Sequence, residues 1–471
     1  MPEAKVSVPK IWLLVVLVAC YAQLAQARPP VLAVEAEEGA YSIDPANNGA
    51  GPLWNSGSTN LVRAGNQVFA SGLETLAAVP PLNNTQCTLW RRGEGGWILA
   101  MSDPSGRTRE PCPLAVFPDR DRVFMSSNPT TVPVVQAGGG PAVPVVLELP
   151  LAEQRHTPTV TQPFWRSDSA QPAFTEHSYR SFSADGERGE LVLFQNVGHT
   201  HAEWVFRDST GRWSARGQLE WPWGGEYAQP KPIRVCYPNV ALRHRAVHFV
   251  GVSDVIEPNE QWRKFKRELT GKDWDYDFRR LFYTWSPDIT RGQFKGWVEI
   301  ASRERTAGRI MPGDLWLAPD GAAHIVWSET AIDTRLREQF FPAERQRHEM
   351  NYAVVRDGGV VLRKTLLATA EGNGPVPHLP RFQVTPENRL FVFFYVNGSD
   401  EGGKPLSENR LLEIRRDGSI SAMVRVPLTQ PLNNYMTATV RAGSRPSRML
   451  DLLGTAAGNS NAIRYARVRI D

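Results

Sequence analysis

The stretch TEHSYRSF, residues 175–182, brings together an acid, a titratable base, a phenol and a fixed cation: Glu176, His177, Tyr179 and Arg180. Elimination across a uronic acid calls for those parts. One group takes the proton beside the carboxylate, one protonates the leaving oxygen, and an arginine fork holds the carboxylate itself. Glycoside hydrolysis instead needs two carboxyl groups flanking the scissile bond. The chain offers material for both. The candidate proton carriers are His177, His199 and Tyr237. The candidate substrate-binding groups are Arg109, Glu110, Tyr179, Arg180, Arg234, Asp254, Asp314, His378, Arg381 and Tyr435. A hydrolytic pair would come from Glu110, Glu176, Asp254, Asp314 and Glu329. Converging arginines at 109, 180, 234 and 381 would suit an acidic sugar; they would equally serve to brace carboxylates between neighbouring elements. His199 and His201 alternate in a short loop as metal ligands can, but no third ligand accompanies them, so neither metal nor cofactor is expected.

These residues share a position, just before or just after short apolar strands that recur along the chain. Seven times an alternating strand meets a polar turn and a denser apolar strand follows: 61–71, 114–127, 182–196, 240–253, 315–329, 382–396 and 439–455. The turns are rich in Gly, Asp and Asn, which tolerate the left-handed backbone of a tight hairpin. Two further strands follow most hairpins, as in AEWVFRD with WSARGQL and LLEIRRD with ISAMVRV. Four antiparallel strands repeated at this spacing predict an all-β fold, a β-propeller of seven four-stranded blades, with six as the alternative because the second unit is ragged. The seventh unit is one strand short, and VLAVEAEE (31–38) would supply it and close the ring. Residues before each first strand then gather at one mouth of the central channel.

Two segments interrupt the strands at helical spacing. One has Trp262, Phe265 and Leu269 before Gly271; the other has Ile332, Leu336 and Phe340 before Pro342. Both fall between the second and third strands of their blades and so should cap one face, their aromatic stripes packed. In KDWDYDFRRLFYTW (272–285) aromatics alternate with aspartates, which predicts aromatics packed beneath an outer helix.

The chain has 471 residues, 41% hydrophobic and 22% charged, with a net charge of +4 spread along its length. That excludes a disordered chain and gives no basic face for nucleic acid. Lys5 and Lys10 precede an apolar run ending in AQA, Ala25 to Ala27, which reads as a signal peptide over 1–27 ahead of one propeller domain over 28–471. LVAC, ending at Cys20, also resembles a lipobox, and lipid on Cys20 is the one route to a membrane. A secreted, extracellular or periplasmic monomer follows. Export permits a disulfide, and Cys87 with Cys112 is the pair nearest in sequence, leaving Cys236 as a buried thiol; three unpaired core cysteines are the alternative.

FRDSTGRW (206–213) and TWSPDITRGQFKGW (284–297) resemble the Asp-box, an Asp and a Gly in a hairpin turn ahead of a Trp, of the sialidase-like or BNR-repeat propellers. SYRSF is similar to the Phe/Tyr-Arg-Ile-Pro motif of sialidases, with Ser181 and Phe182 in place of Ile-Pro. Seven-bladed polysaccharide lyases are an equally good analogy. The resemblance implies a carbohydrate-active protein, lyase or glycosidase, with an acidic oligosaccharide or polysaccharide as partner. The alternative is a propeller that binds glycan or protein at the cell envelope without catalysis.

Overall fold

The computed structural model describes residues 29–55, 57–152, 157–165, 173–177, 179–372 and 374–471. The expected signal peptide and Cys20 lie outside them. Seven four-stranded antiparallel sheets form the blades of a propeller. Blades 1 to 6 span 61–108, 114–161, 180–220, 235–302, 307–370 and 375–426. Blade 7 is made of Leu432–Thr437, Met449–Ala456 and Asn459–Ile470, and the N-terminal strand Leu32–Ser42 pairs antiparallel with the last of these as its outer edge. The expected closure is what the chain does, and the ragged second unit is a complete blade.

Innermost in each blade is its first strand, and consecutive inner strands lie against one another around the whole ring, blade 1 against blade 7 included. Second strands are buried on both faces, which is why they read as nearly unbroken apolar runs. In blade 3, Leu191, Val192, Leu193 and Phe194 are all fully buried. Each such side chain contributes roughly 1.5–3 kcal/mol. Aromatic rings fill the wedge between blades 3 and 4, with Phe194 and Phe249 at 5.5 Å and Trp221 with Phe249 at 6.3 Å. A disulfide joins Cys87 on the third strand of blade 1 to Cys112 in the link to blade 2, and Cys236 is buried and free, as the nearest-neighbour pairing anticipates.

The two Asp-bearing turns join third to fourth strands. In blade 3 the Asp208 carboxylate accepts from the Thr210 amide and hydroxyl and the Arg212 amide. In blade 4 Asp288 accepts from the Thr290 amide and hydroxyl. The helical insertions are α1 (Glu260–Thr270), capped by Asn259 and stopped at Gly271, and the short α2 (Arg337–Phe340). Their aromatic stripes meet: Trp262 packs on Phe341 at 5.4 Å and Phe265 on Phe340 at 5.5 Å.

Blade 7 departs from expectation. Its inner strand ends at Thr437, and 438–448 is not the first strand of the hairpin but a loop lying inside the ring of inner strands. The Arg441 carbonyl accepts from the Ala184 amide and the Ser183 hydroxyl, and the Ala442 carbonyl from the Val116 amide. Ser444 accepts from the Arg63 amide, and Ser447 donates to the Val384 carbonyl. Arg441 itself donates to Asp314 at 2.8 Å and to the Gly57 carbonyl at 2.6 Å. The loop therefore takes up part of the channel, and five blades share its polar bonds.

Two histidines occupy equivalent places on the second strands of blades 4 and 5. His248 pairs with the Tyr283 hydroxyl at 2.7 Å and His324 with that of Tyr352 at 2.6 Å. Burial pushes each down to about 4. Between the ordinary value near 6.5 and about 4, the unfolded chain takes up protons that the folded chain refuses, so stability present above the upper value is lost as pH falls through this window. The melting temperature should drop over that range, and the drop should shrink in the His248→Gln/His324→Gln double variant, as calorimetry at several pH values would show. Replacing Arg441 by Ala strands Asp314 as a buried carboxylate, and chemical denaturation should register a loss of roughly 3–5 kcal/mol.

Candidate functional site

Loops entering the inner strands, and loops joining second to third strands, lie at one face of the disc. On that face, blades 1 to 5 bring aromatic and charged side chains into a continuous cluster. Trp54 approaches His177 at 5.3 Å, His177 approaches Tyr179 at 5.1 Å, and Tyr179 meets Tyr237 edge-on at 5.0 Å. Tyr237 continues to Phe278 at 5.8 Å. Arginines lie on the rings: Arg109 over Trp54, Arg234 over Tyr179 and Tyr276, and Arg309 over Phe278.

The carboxylates of the cluster are each engaged. Glu110 holds His177 through Nδ1. Glu176 accepts from the Gly140 amide at 2.8 Å and lies 3.6 Å from Arg109. Asp254 pairs with Arg234 at 2.5 Å. Arg234 also reaches His199 Nε2 at 3.3 Å. His177 remains 34% exposed, and its Nε2 has no hydrogen bond among the described residues. In the neutral ring, a carboxylate on Nδ1 fixes the tautomer with its hydrogen there and its lone pair on Nε2.

Burial sets the protonation of the remaining groups. It pushes the Tyr237 phenol up to about 12, against hydrogen bonds from Tyr179 and Trp54 that pull the other way, and it pushes Tyr179 higher still. Both are proton donors at neutral pH. Burial also raises Asp254 in spite of Arg234. Partial burial, with Arg234 and Lys231 beside it, lowers His199 and keeps it neutral.

The local backbone is shaped for this. Tyr237 has φ +49°, in the left-handed region, ahead of Pro238 at a bulge in the inner strand of blade 4. Gly57, at φ +93°, packs beneath it, where a Cβ would lie 2.3 Å from the Pro238 carbonyl oxygen.

Of the residues singled out in the sequence, His177, His199, Tyr237, Arg109, Glu110, Tyr179, Arg234 and Asp254 come together here, with Glu176 and Trp54. Six others lie elsewhere. Arg180 is buried and donates to the Pro111 carbonyl at 2.9 Å. Arg381 is buried on the Gly313 carbonyl, and Asp314 is taken by Arg441 and the Phe382 amide. Tyr435 is fully buried and donates to the Leu379 carbonyl at 2.5 Å. His378 bonds to Asn397 at 2.9 Å on blade 6. Glu329 is held by Arg303 at the side of blade 5.

The 272–285 stretch is also corrected. Its carboxylates, not its aromatics, lie beneath α1: Lys266 pairs with Asp275 at 3.0 Å, and Asp277 with Arg279 at 2.7 Å. Tyr276 and Phe278 face the cluster instead, and Trp274 is 60% exposed. Tyr276, Phe278 and Arg309 were the site's unannounced members; the alternation of 274, 276 and 278 was the signal for the first two.

No family model matches the sequence, and no curated protein matches it. Among solved structures, the polysaccharide lyase Uly1 is similar in fold, with a TM-score of 0.52 at 11% identity over 94% of this chain and 99% of that one. A PL25 ulvan lyase gives 0.48 at 9% identity, covering 90% and 95%. The α-L-arabinanase of Penicillium chrysogenum, complexed with arabinobiose, gives 0.43 at 11%, covering 93% and 98%. At such identities the likeness is one of fold.

Gly57→Ala should displace Tyr237 and cost roughly 1–3 kcal/mol; a lowered melting temperature and a changed near-ultraviolet circular dichroism signal from the tyrosine cluster would register it.

Proposed function

We propose that this protein is a secreted, carbohydrate-active propeller that cleaves an acidic glycan by β-elimination at the face bearing the tyrosine cluster. The observation that carries the reading is the His177–Glu110 pair beside two protonated phenols. His177 Nε2 takes the C5 proton of a uronate. The electrons of that C–H bond form the C4–C5 double bond, the C4–oxygen bond breaks, and the Tyr237 hydroxyl protonates the departing oxygen. A phenol held near 12 is suited to give a proton to an alkoxide-like leaving group and unsuited to take one at neutral pH.

Elimination is favoured over hydrolysis because Glu110, Glu176 and Asp254 are each committed to a basic side chain or an amide, and none is left to face a second carboxylate across a bond. Export is supported by the Cys87–Cys112 disulfide, which belongs in an oxidising compartment. The fold shared with the polysaccharide lyase Uly1 is consistent with a glycan substrate, and the Asp208 and Asp288 turns support kinship with the sialidase-like propellers.

Purified protein incubated with uronate-containing polysaccharides should yield product with the ultraviolet absorbance of an unsaturated uronate. His177→Ala and Tyr237→Phe should each slow its appearance by about 10²–10⁴-fold while leaving the melting temperature near that of the parent. New reducing ends without that absorbance would replace elimination with hydrolysis. Glycan retention with no product of either kind would make the protein a binding module.

A further inference from the structure

Beside the tyrosine cluster, on the same face, a cavity of about 620 Å³ opens over blade 5. Volumes of this order hold small ligands. Tyr276, Phe278 and Arg309 belong to both places, so the two are continuous. The charges lining the cavity are unequal in their engagement. Along the wall formed by α1 and its neighbours, Lys266 pairs with Glu257 at 2.8 Å and Asp275 at 3.0 Å. Arg335 pairs with Asp333 at 2.6 Å, and Arg279 with Asp277 at 2.7 Å. Each of those three cations is thus held by one or more of the four carboxylates.

Blade 5 supplies the facing wall. Arg309, Thr330 and His348 are direct cross-strand partners on three successive strands, so they stand in a row on one side of the sheet. Arg309 is exposed and touches Met311 and the Phe278 ring, but no described carboxylate pairs with it. Burial and the neighbouring His378 keep His348 neutral, so it serves as a hydrogen-bonding group beside the cation and not as a second charge. The cavity thus presents a guanidinium with no carboxylate paired to it among the described residues, flanked by a hydroxyl and an imidazole.

We propose that this cavity is a sugar subsite selective for a carboxylate, in which Arg309, Thr330 and His348 hold the acidic group of a glycan whose neighbouring residue reaches Tyr237. The assignment rests on the glycan reading given above and adds the direction in which the chain runs: from the tyrosine cluster, past Phe278, towards α1. It also explains how an acidic substrate finds an attractive charge where Arg109 and Arg234 are already neutralised by Glu176 and Asp254.

The test is isothermal titration of the full chain with three probes: an oligoglucuronate, its carboxyl-reduced counterpart, and that reduced oligomer bearing O-sulfate. The parent should bind the oligoglucuronate best. Arg309→Gln should weaken that binding at least about tenfold, as expected for loss of a hydrogen bond to a charged group, and should leave binding of the reduced oligomer unchanged. Thr330→Val should weaken it less, and Arg309→Lys should restore part of the loss. Unchanged melting temperatures would separate these effects from misfolding. Equal binding of oligoglucuronate by Arg309→Gln and parent, equal weakening for charged and reduced probes, preference for the sulfated probe, or no binding of any probe would each overturn the proposal. If Arg309-dependent binding persists where no product forms, the subsite stands and the catalytic reading falls. If product forms and Arg309→Gln leaves KM unaltered, the subsite alone falls.

Discussion

Asp314 and Arg441 neutralise each other inside the ring of inner strands, and much of the surrounding architecture hangs on that pair. A seven-bladed ring leaves a channel too wide for its own side chains to fill well. Here a loop of blade 7 occupies part of it and must bring polar backbone with it. Each amide and carbonyl of that loop needs a partner, and the inner strands of blades 1, 2, 3, 5 and 6 supply them. The guanidinium of Arg441 then does two things at once. It balances a buried carboxylate, and it holds the Gly57 carbonyl, directly below the point where Gly57 supports Tyr237 and Pro238. The candidate site is in this sense one residue away from the hub, and its geometry inherits the hub's rigidity.

How much of this could be read from the chain depends on what pattern alone encodes. Blade count and the closing strand follow from alternation and turn chemistry, which are local. The stretch 439–448 has the look of a strand followed by a turn, yet it serves as channel filling, because what decides its conformation is the space left by six other blades. A residue's place before an inner strand tells which face it belongs to but not whether it points outward to solvent or inward to a neighbour. That is why Tyr237 and Arg234 reach the cluster while Arg381 and Tyr435, at comparable positions, turn into the interior. Blade 5 shows a subtler limit. Its inner strand begins at Ala307, well before the clear apolar pattern near Leu315, because a bulge at Pro312 breaks the alternation. Asp314 therefore stands part-way down the channel, and the residue at the mouth is Arg309.

The distribution of charge follows a single rule. Arginine is abundant in the blades, and most of it is spent on carboxylates or carbonyls of adjacent strands, as between Arg63 and Asp451 or Arg389 and Glu413. Such pairs hold register and packing but cancel as fields. A ligand therefore senses the groups left over, and on the face bearing the tyrosines these include, among the described residues, an imidazole nitrogen, two phenols and the Arg309 guanidinium. Function on this scaffold is defined by subtraction as much as by assembly.

The pairing of Leu32–Ser42 with Asn459–Ile470 has a consequence for how the chain comes into being. Leu32–Ser42 leaves the ribosome long before the strand Asn459–Ile470 with which it pairs. At ordinary rates of synthesis, on the order of half a minute or more separates the two. Throughout that time an edge with strand-forming sequence waits unpaired, and blade 7 cannot be completed by any local event. Contacts of such sequence separation form slowly. A nascent chain of this design is thus held short of its native state until the strands of blade 7 have been made.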